Sequence, residues 1–444
     1  MNVALIVPGG EKEMAGMQTV ARPPLGVCYL KSYLEQNGHK ARVFHQINET
    51  DSELIDKILE FSPKIAGFST MSCNFHAGAD LAKAIKVKKP EVKTVFGGEH
   101  VTGIYVDEIQ YGSKLMTTEF LQNPAIDFMI PFEGELALTE LVKGVKHNKD
   151  PSKIPGIAFR SGNHVISTGR IPRIQNLDDL PMADRSDLPY EKYHSPDDSQ
   201  DLEYLHTARG CRFRCIYCAT PVSNPGKVVA NSAERVVEEI EDLYKRYGRT
   251  SFFFVDELFT YDPERVRKIC QSLIDKGLSE KIKWRCFARV DDVARKKINL
   301  DLMKRAGLKG IFYGVESMNP DTLRRLGKGT NPEQAREAAR IAHEKGIDVW
   351  GSLMMGYPWE DKKALRQSLD DYLQMVKAGT IKHTYIAFIT PFPGTKFYRQ
   401  CIDNNWITDP TYLTSDCSRP VLKTPIPEKT LINIYKGFLK QVVK

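Results

Sequence analysis

The chain has 444 residues, 41% of them hydrophobic and 27% charged, a profile that suits two or three globular domains and excludes a disordered polymer. Its 63 Lys and Arg stand against 56 Asp and Glu, a surplus of +7 that is small and scattered, so nucleic acid is not the expected partner. No apolar run approaches the roughly 20 residues that span a bilayer, and the opening Met1-Asn2-Val3-Ala4-Leu5-Ile6-Val7-Pro8 reads as a buried strand, without the basic and cleavage regions of a signal peptide.

Residues 1–150 alternate short apolar runs with helical ones. Strands are expected at 3–7, 41–45, 64–69, 92–96 and 127–130, and helices at 25–36, 52–61, 77–87 and 136–145. Such alternation predicts an α/β domain with an open parallel sheet of the doubly wound, Rossmann-like type. Residues 151–200 hold a small hairpin, 156–160 with 164–167, and then a stretch with Pro172, Pro181, Pro189 and Pro196 that reads as a linker draped over a surface.

From 201 to 395 the alternation resumes, with strands expected at 205–208, 251–255, 283–288, 310–315, 348–354 and 384–389. Asp262-Pro263 and Asn331-Pro332 each place a capping side chain before a first-turn proline, and Asn231 with Glu234 resembles a capping box. Six strand–helix units predict a partial parallel (β/α)6 barrel, whose active site belongs at the carboxyl ends of its strands. Residues 396–444, a helix, an irregular segment and a last helix, read as a C-terminal cap.

Nine cysteines, mostly single, suit a reducing cytoplasm better than a disulfide framework. The one cluster among them is Cys211-Arg212-Phe213-Arg214-Cys215-Ile216-Tyr217-Cys218, directly after the first barrel strand. Three thiolates on one tight loop suit an iron–sulfur cube, with one iron left open to an amino and carboxylate chelate. Structural zinc wants four ligands, normally as two separated pairs, and no second Cys-x-x-Cys or His pair accompanies the triplet. Inert buried thiols are the other alternative. Cys28, Cys270 and Cys286 read as core packing, while Cys73, Cys401 and Cys417 are weaker candidates for substrate chemistry.

On these residues the stretch 204–400 resembles the radical S-adenosylmethionine (SAM) superfamily. The resemblance implies a 4Fe–4S cluster on Cys211, Cys215 and Cys218, with SAM bound at the open iron. It further implies an external electron donor such as flavodoxin or ferredoxin, and cleavage of SAM to a 5′-deoxyadenosyl radical. It sets Tyr217 against the adenine, and Asp256 and Glu257 at the amino group where many members carry two glycines and a glutamate. Arg289 would meet the carboxylate, Glu316 would be a further polar contact, and Ser352 would reach the ribose. The substrate pocket is expected among Tyr357, Trp359, Phe392 and Tyr398.

A doubly wound domain binds ligands at the carboxyl ends of its strands, here the loops 8–24, 69–74 and 97–100. Ser69, Met71, Gly97 and Gly98, with Arg22-Pro23-Pro24-Leu25-Gly26 and Phe132-Glu133-Gly134-Glu135, are similar to the cobalamin-binding domain that precedes many radical SAM barrels. The Asp-x-His-x-x-Gly of the methionine synthase type does not occur. The resemblance therefore implies cobalamin without a protein histidine on cobalt, or a vestigial domain, with His100 a satisfied loop residue. Together the two halves imply methylation of an unactivated carbon, through methylcobalamin, on a small-molecule or biosynthetic-intermediate substrate. Cyclisation, ring contraction or deoxygenation would use the same motifs. Methylthiolation would want a second cysteine triplet, and a non-catalytic corrinoid sensor would not need the first.

Overall fold

The computed structural model describes residues 1–9, 22–193, 202–409 and 417–442. Most of the expected loop at 8–24, and the end of the proline-rich stretch with Pro196, lie outside the described residues. The first sheet contains β1 (Asn2–Val7), β2 (Lys40–His45), β3 (Ile65–Ser69), β4 (Lys93–Gly97), β5 (Phe128–Ile130), β6 (Ala158–Ser161) and β7 (His164–Ser167). Its order is β2-β1-β3-β4-β5-β6-β7, parallel through β5 and antiparallel for the last two. The inner strands are apolar on both faces because helices cover both. Ala4, Ile6, Ala66 and Phe68 face one core, and Val3, Leu5 and Ile65 face the other.

Next come β8 (Leu202–Leu205), the two-residue β9 (Ala208–Arg209) and β10 (Val229–Ala230), then β11 (Ser251–Phe254), β12 (Lys283–Ala288), β13 (Leu308–Glu316), β14 (Asp348–Met355) and β15 (His383–Phe388). Strands β8 and β11 to β15 form a six-stranded, wholly parallel sheet in sequential order, the expected partial barrel. Its helices start as their caps dictate: Asp262 accepts from Glu264 and Arg265, and Asn331 forms a capping box with Gln334. The last helix, Glu428–Val442, seats Tyr435 and Phe438 in the barrel core against Phe388 and Tyr372. No helix among the described residues is long and apolar enough to cross a membrane.

Four local expectations are corrected. The hairpin β6–β7 is not part of a linker but extends the first sheet past β5, so that unit reaches Ser167. The expected strand at 205–208 is split, because Ala208–Arg209 leaves the barrel to pair antiparallel with Val229–Ala230. Ser232, not Asn231, caps the helix Ala233–Tyr247, and Asn231 donates instead to Asp178 at 3.0 Å. Two helices, Glu99–Tyr111 and Leu115–Gln122, occupy a region that periodicity left blank.

The proline-rich stretch is also more than a surface drape. Arg185, 2% exposed, pairs with Glu239 at 2.9 Å and Glu203 at 3.4 Å inside the barrel wall. Lys31 of the first domain reaches Asp184 at 2.7 Å and Asp187 at 3.2 Å. The stretch thus pins the first domain to the barrel. The two also touch where Gly103 meets the turn after β15, since a Cβ on Gly103 would lie 2.8 Å from Pro393 O.

Candidate active site

The cysteine loop is held on two sides. Asp256, at the end of β11 and fully buried, accepts from the Thr207 amide (2.5 Å), the Thr207 hydroxyl (2.6 Å) and the Ala208 amide (3.0 Å). Its carboxylate anchors the approach to the loop. Glu257 accepts from the Gly210 amide at 3.2 Å, and Gly210 itself turns at φ +100°, a conformation open to glycine. On the far side, the Ile216 amide donates to Leu326 O at 3.0 Å.

Cys211, Cys215 and Cys218 are all partly exposed and unbridged. Burial pushes the Cys211 and Cys218 thiols up, and Cys215 acts electrostatically on both, so the three sulfurs share one neighbourhood. Three thiols on one short loop are the soft donors that iron–sulfur clusters select, so the donor set fits such a cluster.

Two of the expected SAM residues, Tyr217 and Ser352, meet a third, Glu316, and Arg289 is joined to this group through Lys328. Glu316 ends β13 at φ +64°, where the register with β14 shifts. The Tyr217 hydroxyl donates to Glu316 Oε1 at 3.1 Å and the Ser352 hydroxyl to Oε2 at 3.4 Å. Burial, then the adjacent Glu316, raises the Tyr217 phenol well above its ordinary value. Arg289 donates through Nη2 to Lys328 O at 2.8 Å and through Nε to Asp291 at 2.8 Å, with its guanidinium 3.5 Å over the Phe213 ring. Lys328, which sequence reasoning missed, completes the group with Nζ 2.9 Å from Glu316 Oε1. Its signal was the Gly327-Lys328-Gly329 run, whose glycines take φ +64° and +69°.

A cleft of about 220 Å³ lies where the first sheet meets the cysteine loop. Ser69, Gly97 and Gly98 line it as expected, with Leu5, Gly26, Val27, Phe68, Val95 and Ile130 around them. A Cβ on Gly26 would meet nothing within 4 Å, and one on Gly97 only Ile130 O at 3.3 Å, so these positions keep the floor open. Gly98 has a different reason: at φ +99° its Cβ would stand 2.5 Å from Thr70 O. Met71 is 44% exposed and is not among the residues lining the cleft. The barrel contributes His206, Arg209, Ser223 and Asn224 to the same cleft. Arg209 bridges to Glu135 at 2.6 Å and Glu133 at 3.3 Å. Burial alone would lower the His206 pKa, but Glu257 beside it raises it.

The glycine floor and apolar walls suit the edge of a large flat ligand such as a corrin. Among the described residues, the first domain places no histidine in the lining. His100 is buried instead, with Nδ1 3.1 Å from Ser72 Oγ and its ring 4.3 Å from Phe75; its Nε2 is unpartnered, so it is only half satisfied. The expected substrate aromatics are corrected. Tyr357, Tyr398 and Trp359 pack with Phe397 and Leu422 to seat the cap, and Tyr357 is 1% exposed. Phe392 stays partly exposed, and Cys28, Cys270 and Cys286 are buried.

This architecture, a doubly wound domain ahead of an open parallel half-barrel with three cysteines after its first strand, defines a class. Residues 205–372 match the Radical SAM superfamily model, and residues 21–142 match the B12 binding domain model. The chain thus carries a radical SAM domain preceded by a B12-binding domain. The two family models bring their cofactors: a 4Fe–4S cluster and SAM for the barrel, cobalamin for the first domain.

Among relatives, the uncharacterized methyltransferase PH0819 of Pyrococcus horikoshii is 28% identical over 95% of this chain and 88% of its own length. The anaerobic magnesium-protoporphyrin IX monomethyl ester cyclase of Cereibacter sphaeroides is 26% identical over 95% of this chain and 67% of its own. The radical SAM methyltransferase TsrM of Kitasatospora setae superimposes with a TM-score of 0.73 at 14% identity, covering 99% of this chain and 88% of that one. At that identity the likeness shows the fold.

Proposed function

We propose that this radical SAM enzyme methylates an unactivated carbon of a small-molecule or biosynthetic-intermediate substrate. The observation that carries the reading is the shared cleft. Its floor is the switch point of the first sheet, and its wall is the chain that leads into the cysteine loop. When bound, the cluster supplies the electron that splits SAM, and cobalamin supplies a methyl carrier. The chain's own residues arrange that encounter. Asp256 and Glu257 fix the cysteine loop, Glu316 and Arg289 face SAM, and Arg209 with Glu133 and Glu135 locks the two walls at one spacing. The electron comes from an external donor of the flavodoxin or ferredoxin type.

Methyltransferase names among the relatives support this reading, and the cyclase relative supports a second, ring formation with the same machinery. Anaerobically reconstituted protein, given reductant, methyl-labelled SAM and candidate substrates, decides between them. Label in the product supports methylation. A product without label, formed with 5′-deoxyadenosine, supports ring formation, and no 5′-deoxyadenosine at all defeats both.

A further inference from the structure

We infer that Lys328 is a positioning residue for SAM, gripping Glu316 by one carboxylate oxygen so that the other faces the cosubstrate. The inference deepens the reading above and rests on it. Lys328 Nζ is 2.9 Å from Glu316 Oε1, both side chains only 10% exposed. The Tyr217 hydroxyl donates to the same oxygen at 3.1 Å. Among the described residues, Oε2 has only the long 3.4 Å contact from Ser352, so it is the less engaged acceptor for a hydroxyl or ammonium donor.

The backbone is shaped around this pair. A non-glycine residue at φ +64° is strained and persists only where its surroundings enforce it. Gly314 leaves the space: a Cβ there would lie 2.8 Å from Lys328 Nζ and closer still to Glu316 Oε1. The same short loop reaches the other two components of the site. Leu326 O receives the Ile216 amide from the cysteine loop at 3.0 Å, and Lys328 O receives Arg289 Nη2 at 2.8 Å. A buried ion pair adds little net stability against apolar packing, so orientation is the better account of this one.

The test uses the full chain, anaerobically reconstituted, as wild type, Lys328→Met, Lys328→Arg, Glu316→Gln and the Lys328→Met/Glu316→Gln double variant. Iron content, thermal midpoint and the dissociation constant for labelled SAM are measured for each. Lys328→Met is expected to keep its iron and weaken SAM binding about tenfold, and Lys328→Arg to recover most of that loss. In the Glu316→Gln background the same change should shift SAM affinity less than about twofold, because Lys328 acts through Glu316. Unchanged affinity in Lys328→Met, or an equal loss in both backgrounds, overturns the inference. If Lys328→Met loses iron, Lys328→Gln replaces it in the same cycle. Wild type that takes up no SAM would defeat the functional reading itself, a result separate from any behaviour of the Lys328 variants.

Discussion

In the first sheet the strand order reverses between β1 and β3, whereas the six barrel strands follow one another in sequence. The reversal opens one crevice, and its lining from that domain is largely main chain, glycine and apolar side chains. The sequential sheet instead brings every strand end to one rim and arms it with Glu257, Arg289, Glu316 and, from the adjoining loop, Lys328. A crevice of the first kind recognises shape and suits a broad flat ligand. A rim of the second kind recognises charge and suits a zwitterion such as SAM. The parallel strand is common to both; the connectivity determines what each can hold.

The sharpest test of that division is Cys215→Ala, expected to abolish SAM cleavage while the corrinoid spectrum of the first domain persists. Loss of both together would mean the regions do not bind independently. Next in size is Arg185→Met, which strands Glu239 inside the barrel wall and leaves Glu203 only Arg249 at 3.9 Å for an ion pair. Leaving buried charge unpaired should cost about 3–5 kcal/mol in urea unfolding. A smaller loss would mean that the proline-rich stretch holds the domains less firmly than its contacts suggest.

The regions should also respond to pH in opposite senses. Burial pulls the His45 pKa down to about 4 in the first domain. Between pH 6.5 and 4 the unfolded chain takes up a proton that the fold refuses, so stability falls as pH falls. In the barrel, burial pushes the Glu360 pKa up to about 7. From pH 4.5 upward the unfolded chain releases a proton that the fold retains, and stability falls until pH passes 7. Each effect reaches at most ~3 kcal/mol. His45→Gln should gain stability relative to wild type mainly below pH 5, and Glu360→Gln mainly at pH 8. Regional hydrogen exchange would assign each to its domain.

The smallest effect on stability belongs to Gly26→Leu, whose side chain would enter open space in the crevice. Unfolding should move by less than about 0.5 kcal/mol, while corrinoid affinity drops at least about tenfold. Intact corrinoid binding in that variant would place the ligand elsewhere.

The cysteine loop was legible in the sequence because its three thiols are neighbours along the chain. The strands and caps at Asp262 and Asn331 were legible too, since periodicity and capping are local signals. The helices Glu99–Tyr111 and Leu115–Gln122 were not, because residues such as His100, Thr102 and Asp107 are buried among the apolar ones and blur the period. Tyr357 and Trp359 looked like substrate aromatics, but the cap that covers them comes from residues tens of positions away.

The sequence by itself determined the two α/β units, their order and the three-cysteine motif, each written in contiguous spacing. Only the tertiary structure decided that Asp256 ties down the chain ahead of the cysteine loop, that Arg185 enters the barrel wall, and that Lys328 meets Glu316 across 12 positions. Those roles depend on which side chains converge after distant segments close. Burial and charge pairing are properties of the assembled neighbourhood, and no local pattern encodes them.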